Sequence, residues 1–389
     1  MHLADRMSLL GTETAFEAAA RARALEATGR DIIHLEIGEP DFDTPAHIRE
    51  AAKQALDDGY THYGPALGLP VLRSAIAADS TARRGFEVRP DHVVVTPGAK
   101  PIMFYTMLAL CQPGDEVIYP DPGFPIYESM TRFVGATAVP LPIRQANNFR
   151  LDPDELASLV TPRTKLIIFN SPANPTGGVL TRGDLERIAA IAIEHDLTVL
   201  ADEIYGRILY GGEHVSIASL PGMAERTIIL DGFSKTYAMT GWRLGYGILP
   251  EQLLPPFSRL IINSVSCTSA FEQVAAAAAL TGPQDAVEAM VAEFQARRDL
   301  IVDGLNVLPG VSCLRPDGAF YVFPDISATG RTGSELADRL LHEAGVSVLS
   351  GTAFGHIGAH HLRLSYANSR EKISAALDRM RSVLETLVA

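Results

Sequence analysis

Thr227-Ile-Ile-Leu-Asp-Gly-Phe-Ser-Lys-Thr-Tyr-Ala-Met-Thr-Gly-Trp-Arg-Leu-Gly-Tyr-Gly-Ile-Leu249 sets two short apolar runs around one lysine. Thr227–Leu230 and Leu244–Leu249 read as strands, and Lys235 stands in the loop after the first. Lysine is normally solvated, and burial lowers its pKa by disfavouring the ammonium form. A buried amine stabilises a fold poorly and serves well as a nucleophile. Gly232, Ser234 and Thr236 leave room around it, and Arg243 follows, able to hold an anion near the amine. On their own these residues also fit a plain surface loop, so the rest of the chain has to decide.

Upstream the pattern repeats. A helix over Leu69, Leu72 and Ile76 leads to the run His92–Thr96. A helix from Pro101 to Cys111 leads to Glu116–Tyr119. Lys165–Phe169 is followed by a helix capped by Thr181, and then by Thr198–Ala201. Short, nearly continuous, β-branched runs separated by helices predict an α/β fold with a mainly parallel sheet covered on both faces. Farther out, residues 1–30 read as a helical arm and Ile32–Ile37 as a short strand. Thr44 and Pro45 look like a helix start, with a capping oxygen and then proline. Beyond Pro255 the chain turns helical, through the alanine run Ala275–Ala279 and a long helix from Ala286 to Leu305. Val311–Cys313, Ala319–Phe323, Val346–Leu349 and His361–Ser365 read as strands of a closing α+β module.

The chain's 389 residues exceed what one growing core accommodates, so two domains are expected. Hydrophobic content of 47% and charged content of 20% are those of a soluble globular protein. A net charge of −13 argues against a nucleic-acid partner, which needs a basic face. Cys111, Cys267 and Cys313 are too far apart for a zinc or disulfide framework and read as reduced thiols. With no signal pattern and no membrane-length apolar run, the expectation is a cytoplasmic protein without a membrane partner.

In open α/β sheets, ligands bind outside the carboxyl ends of the strands. After His92–Thr96 comes Pro97-Gly98-Ala99-Lys100 and a helix, a physically reasonable anion nest that is also an ordinary turn. No nucleotide-binding glycine motif is present. After Lys165–Phe169, Asn174-Pro-Thr-Gly177 presents an amide. After Thr198–Ala201 stand Asp202, Glu203 and Tyr205, acids that are costly at a buried strand mouth unless a cation meets them. Capping and solvation remain open for Glu203. Lys235 and Arg243 complete the set. An anion nest, an amide, an acid with a phenol, and a lysine with an arginine are the groups that pyridoxal phosphate requires.

These motifs resemble those of the class I/II pyridoxal-phosphate-dependent aminotransferases of fold type I, the aspartate aminotransferase-like group. The resemblance covers Gly38-Glu-Pro-Asp-Phe-Asp-Thr-Pro45, Tyr63 with Gly68–Arg73, Pro97–Lys100, Asn174–Gly177, Asp202–Tyr205, Ser234–Arg243 and Arg363–Ser365, in family order. It implies a large domain over residues 46–285 with a seven-stranded sheet. A smaller α+β domain would form from both termini, residues 1–45 with 286–389. Lys235 would carry the coenzyme as a Schiff base and then shuttle a proton. Asp202 would pair with the pyridine nitrogen. Tyr205 and Asn174 would bond the phenolic oxygen, and Phe124 would stack on the ring or serve simply as core. Ser234, Arg243, Gly98, Ala99 and Lys100 would hold the phosphate, with Tyr63 reaching across a homodimer. Arg363 would clamp the substrate α-carboxylate, helped by Asn174 and Gly38.

Two departures stand out: Gly232 where many relatives carry a phosphate-binding serine, implying a looser phosphate cup or a water in the serine's place, and Gly123 where a bulkier pocket wall is usual. Arg6 and Thr12 are candidates to line the pocket, and Lys100 to meet a distal carboxylate of an acidic substrate; the likeness leans toward acidic or broad substrates. His356, His360 and His361 fit no ligand spacing and read as loop or surface histidines. The implied reaction transfers an amino group from an L-amino acid to a 2-oxo acid by a ping-pong route. A carbon–sulfur β-lyase or other elimination or decarboxylation enzyme of the same fold shares every coenzyme contact. A non-catalytic regulator on this scaffold is opposed by the complete lysine–aspartate–arginine set.

Overall fold

The computed structural model describes residues 1–388. Twelve strands are described: β1 Ile33–His34, β2 Val93–Pro97, β3 Glu116–Asp121, β4 Thr137–Pro142, β5 Thr164–Asn170, β6 Thr198–Asp202, β7 Thr227–Gly232, β8 Leu244–Ile248, β9 Tyr321–Val322, β10 Val346–Ser347, β11 Leu349–Ser350 and β12 Leu362–Ser365. Seven of them form one sheet in the order β2-β8-β7-β6-β5-β3-β4. Only β8 runs against the others, pairing antiparallel with both β2 and β7. The flanking helices are α1 Thr14–Glu26, α2 Ala46–Asp57, α3 Pro70–Arg84, α4 Lys100–Leu110, α5 Ile126–Phe133, α6 Pro153–Leu159, α7 Arg182–Glu194, α8 Leu254–Ser264, α9 Ala270–Thr281, α10 Asp285–Asn306, α11 Gly333–Arg339 and α12 Arg370–Val388.

Both faces of the sheet are buried, which is why its strands read as continuous apolar runs. Val93, Val95, Ile229, Tyr246 and Ile248 pack on one side against Leu72 and Ile76 of α3 and the alanines of α9. Small alanine side chains let α9 lie close against α2 and α3. Along β5 the period of two is plain: Leu166 and Ile168 join one cluster, Ile167 and Phe169 another. The Thr181 cap forms as expected, as a capping box with Asp184.

Three local readings need correcting. Strand β4 was not foreseen: Pro140 and Pro142 break its apolar pattern, and its place at the sheet edge tolerates them. Thr44 does not cap α2, whose N-cap is Pro45 without a side-chain bond. Instead the Thr44 hydroxyl donates to the Ala238 carbonyl at 2.6 Å and accepts from the Trp242 indole at 3.0 Å, tying the segment before α2 to the lysine loop. Val311–Cys313 forms no strand, only a bridge from Ser312 to Asp325.

The N-terminal segment is pinned by the C-terminal one. β1 pairs in parallel with β10, and the Leu35 carbonyl accepts from the Ser365 amide at the end of β12. This threading delivers Gly38 to the carboxyl end of the large sheet. Below that end lies a buried ion cluster. Arg84, with a fully buried side chain, donates to Glu203 at 2.7 Å and to Asp231 at 2.6 Å. Ser216 and His214 also reach Glu203, and Tyr246 reaches Asp231. Glu203 is therefore neither a helix cap nor solvated, and the cation that its burial demands is Arg84. Burial pushes its carboxyl up, but Arg84 and His214 outweigh that and hold it well below the usual carboxylate range. Arg84→Met leaves Glu203 without its guanidinium and Asp231 with only Arg83, at 3.2 Å. The expected loss is about 3–5 kcal/mol of unfolding free energy, read from the urea midpoint. A loss below about 1 kcal/mol would show that the cluster relaxes into solvent.

Among the described residues no helix is long and apolar enough to cross a membrane.

Candidate active site

The carboxyl ends of β5, β6 and β7 open onto a cavity of about 500 Å³. Lys235, three residues past β7, projects into it, and its ammonium donates to the Gly38 carbonyl at 2.6 Å. Burial lowers the amine to about 8, with Arg363 and Lys100 adding to the fall against Glu39 and Glu13. Gly38 leaves no room for a side chain, because an added Cβ would lie 2.0 Å from the Tyr321 hydroxyl. The backbone there approaches the lysine because position 38 is glycine.

Asp202 closes β6. Its carboxylate accepts from the Tyr127 hydroxyl at 2.6 Å and the Ile204 amide at 3.2 Å. Among the described residues no cation touches it. Burial raises it to about 6, and Asp231 and Glu203 push the same way against those two bonds. A buried carboxylate with neutral partners is suited to receive a cationic N–H group. Tyr205 meets Tyr321 hydroxyl to hydroxyl at 2.8 Å, and burial lifts both phenols. Asn174 takes its position from Asn170, whose side chain accepts the Asn174 amide at 2.7 Å and donates to the Asp202 carbonyl at 2.9 Å. The side-chain oxygen of Asn174 is buried and has no partner.

At the far wall, Gly98, Ala99 and Lys100 lead into α4. Arg243, in the left-handed conformation at φ 55°, folds its guanidinium over Gly98. A Cβ at Gly98 would stand 2.3 Å from that guanidinium. Ser234 is buried beside it and faces the cavity. Backbone amides at a helix start, a hydroxyl and an arginine form an anion cup. Gly232 stands at a close approach of two strands. It pairs with Gly245, and a Cβ there would already crowd the Gly245 Cα at 3.1 Å and the Leu244 oxygen at 3.2 Å, so β8 occupies the space.

Arg363, on β12, is buried and donates to the Glu36 carbonyl, while its Nε has no partner. Its guanidinium lies 4.7 Å from the Tyr321 ring centroid and 5.1 Å from that of Phe354. Phe124 lines the cavity with its ring edge-on to Tyr127. The cation-free Asp202, the arginine-covered Gly98 and the open Nε of Arg363 together fit a bound pyridoxal phosphate and a carboxylate.

Tyr63, expected to act in a partner subunit, is 91% exposed and outside its own chain's cavity. Other expected residues lie elsewhere. From the arm, Glu13, Ala15 and Phe16 line the cavity in place of Arg6 and Thr12; Arg6 sits over the Phe133 ring. Gly123 is no wall of the cavity. Its turn brings it against Pro120, whose oxygen would be 2.2 Å from a Cβ. His361 stacks on Phe323 at 4.8 Å, and His360 turns to the Arg331 carbonyl. Tyr127, Tyr321, Asn170 and Glu13 were not foreseen as site residues. Tyr127 and Asn170 stand three and four residues from Phe124 and Asn174, but nothing in their spacing gives their partners.

Residues 30–380 match the family described as aminotransferase class I and II. The chain is 46% identical over 359 residues to the aspartate aminotransferase of Pyrococcus abyssi, covering 91% of this chain and 92% of that protein. It is 42% identical over 389 residues to aromatic-amino-acid aminotransferase 2 of Thermococcus litoralis, covering 99% of each. Its fold superposes on the aspartate aminotransferase of Thermus thermophilus with maleate at a TM-score of 0.94 and 39% identity, covering 98% of this chain and 100% of that one. A family match over nearly the whole chain thus falls on a cavity already shaped for the coenzyme, and the chain belongs to the class I and II aminotransferases, pyridoxal-phosphate-dependent transaminases of fold type I.

Proposed function

We propose that Lys235 carries this transaminase's chemistry, moving an amino group from an L-amino acid to a 2-oxo acid in two half-reactions. The observation that supports this most directly is the Lys235 amine, lowered to about 8 and bonded to the Gly38 carbonyl in a cavity shared with Asp202, Asn174 and Arg363. Pyridoxal phosphate supplies an aldehyde and an electron-withdrawing ring. Asp202, bonded by Tyr127, holds the proton on the pyridine nitrogen. Tyr205 and Asn174 donate to the phenolic oxygen, and Phe124 covers the ring. Ser234, Arg243 and the backbone at Gly98, Ala99 and Lys100 grip the phosphate. Arg363 takes the substrate α-carboxylate as a bidentate pair, with Asn174 and Gly38 beside it. Once free, the Lys235 amine is the base that removes the α-proton.

The division into residues 46–285 and residues 1–45 with 286–389 belongs to the same proposal. So does a homodimer with Tyr63 reaching the partner's phosphate. Tyr63 is 91% exposed, and Tyr60, Val71, Ile262 and Val265 are exposed apolar side chains in search of cover. Buried, unpaired Cys111 and Cys313 suit a reducing cytoplasm.

Single-turnover mixing of the coenzyme-loaded enzyme with an L-amino acid tests the reaction. One equivalent of 2-oxo acid per site is expected without any acceptor, and a second 2-oxo acid should restore the starting absorbance. Continuous pyruvate and ammonia from a β-substituted amino acid, with no acceptor, would replace this reading with the lyase.

A further inference from the structure

Three charges on the cavity wall have no part in the coenzyme side-chain set: Glu13, Glu39 and the Lys100 ammonium. Glu13, just before α1, reaches across the mouth and ion-pairs with Lys100 at the start of α4. The Glu13 side chain is 18% exposed and that of Lys100 49%, so the sheltered member is the acid. The Lys100 ammonium also stands 5.5 Å from the Phe124 ring centroid. Glu39 receives the Thr240 hydroxyl nearby. Between Glu13 and Arg363 a smaller chamber opens, walled by Ala15, Phe124, Leu349 and Phe354.

We propose that Glu13 is a specificity-determining residue set against dicarboxylic substrates, so that the enzyme takes amino acids with uncharged or cationic side chains. This rests on Arg363 holding the α-carboxylate, as proposed above, which directs the side chain into the chamber beside Glu13. The place where a second substrate carboxylate would find its cation is Lys100, and Glu13 already holds it. A dicarboxylate has to break that pair and then share a sheltered space with Glu13, where like charges repel strongly. An uncharged side chain leaves the pair intact and buries apolar surface against Ala15, Leu349 and Phe354. A cationic one meets the Glu13 carboxylate at the chamber wall. The expectation that Lys100 serves an acidic substrate is thereby reversed, by a residue whose approach to Lys100 depends on how the arm folds.

Calorimetric titration of the coenzyme-loaded enzyme with succinate and with butyrate, which differ only in the terminal carboxylate, tests this. Glu13→Gln is expected to tighten succinate relative to butyrate by about tenfold, or about 1.4 kcal/mol. Lys100→Met, which leaves Glu13 unpaired, shifts the same ratio about tenfold the other way. Single-turnover rates with L-aspartate and L-leucine should follow the same order. A ratio that stays within threefold of wild type in both variants, or that falls in Glu13→Gln, overturns the role of Glu13. A wild-type enzyme that transfers no amino group from any donor overturns the underlying reaction as well, so the two failures read differently.

Discussion

Lys235→Ala is expected to lower the single-turnover rate with any amino donor by at least about a thousandfold, since it removes both nucleophile and base. The absorbance of the lysine-bound coenzyme disappears with it. The size of the effect follows from the environment of the amine. At pH 7 a lysine near its ordinary value is neutral in only about three molecules in ten thousand. Lowered to about 8, Lys235 is neutral in roughly one in ten. That gain of several hundredfold comes first from burial, and no other lysine shares the position. Lys100 lines the same cavity, but its ammonium is committed to Glu13. It therefore does not substitute. Arginine at position 235 is the sharper control, because it keeps the charge and never presents a neutral amine. Turnover by either variant within tenfold of wild type would remove Lys235 from the reaction.

How far the chain discloses itself depends on what kind of contact is asked for. Strands β5, β6 and β7 are legible because a strand buried on both faces has to be apolar at every position. The residues just past them, Asn174, Asp202 and Lys235, are legible for the complementary reason: polar groups there conflict with burial and need an explanation. Contacts between remote segments carry no such mark. Tyr127 bonds Asp202 across 75 positions and Tyr321 bonds Tyr205 across 116. A tyrosine in an apolar stretch looks the same whether its hydroxyl finds a carboxylate or merely water. Thr44 illustrates the opposite error. Threonine before proline satisfies a local capping rule, but its hydroxyl is taken by Ala238 and Trp242, nearly two hundred residues away. Gly232 is a third case. Position 232 looks like a missing ligand when compared with relatives, and the structure shows it as the close approach of two strands.

Asp202→Asn separates catalysis from stability with opposite signs. Without coenzyme, Asp202 carries a buried charge that only a phenol and an amide offset, and burial lifts its carboxyl from 3.8 to about 6. A folded-state value raised above the unfolded one means the folded protein binds the extra proton between pH 4 and 6. Stability from this group is therefore present below pH 4 and lost as pH rises through 6. Above that the charge costs up to about 3 kcal/mol, taking 1.36 kcal/mol per unit. Asparagine keeps an oxygen for Tyr127 and drops the charge, at the smaller cost of the long 3.2 Å bond from the Ile204 amide. The coenzyme-free variant is thus expected to unfold at higher urea than wild type at pH 8, with the difference shrinking toward pH 4. Coenzyme reverses the ranking. In wild type a protonated pyridine nitrogen supplies the missing cation, and the neutral amide has no charge to hold that proton. The variant should lose most of the stabilisation that coenzyme adds, and its amino-donor half-reaction should fall by about a hundredfold or more. If Asp202 were simply a structural carboxylate, the coenzyme-free variant would be the less stable protein and the loaded enzyme would keep its rate. Urea midpoints of both forms at pH 4 and pH 8, beside one single-turnover trace, distinguish the two accounts.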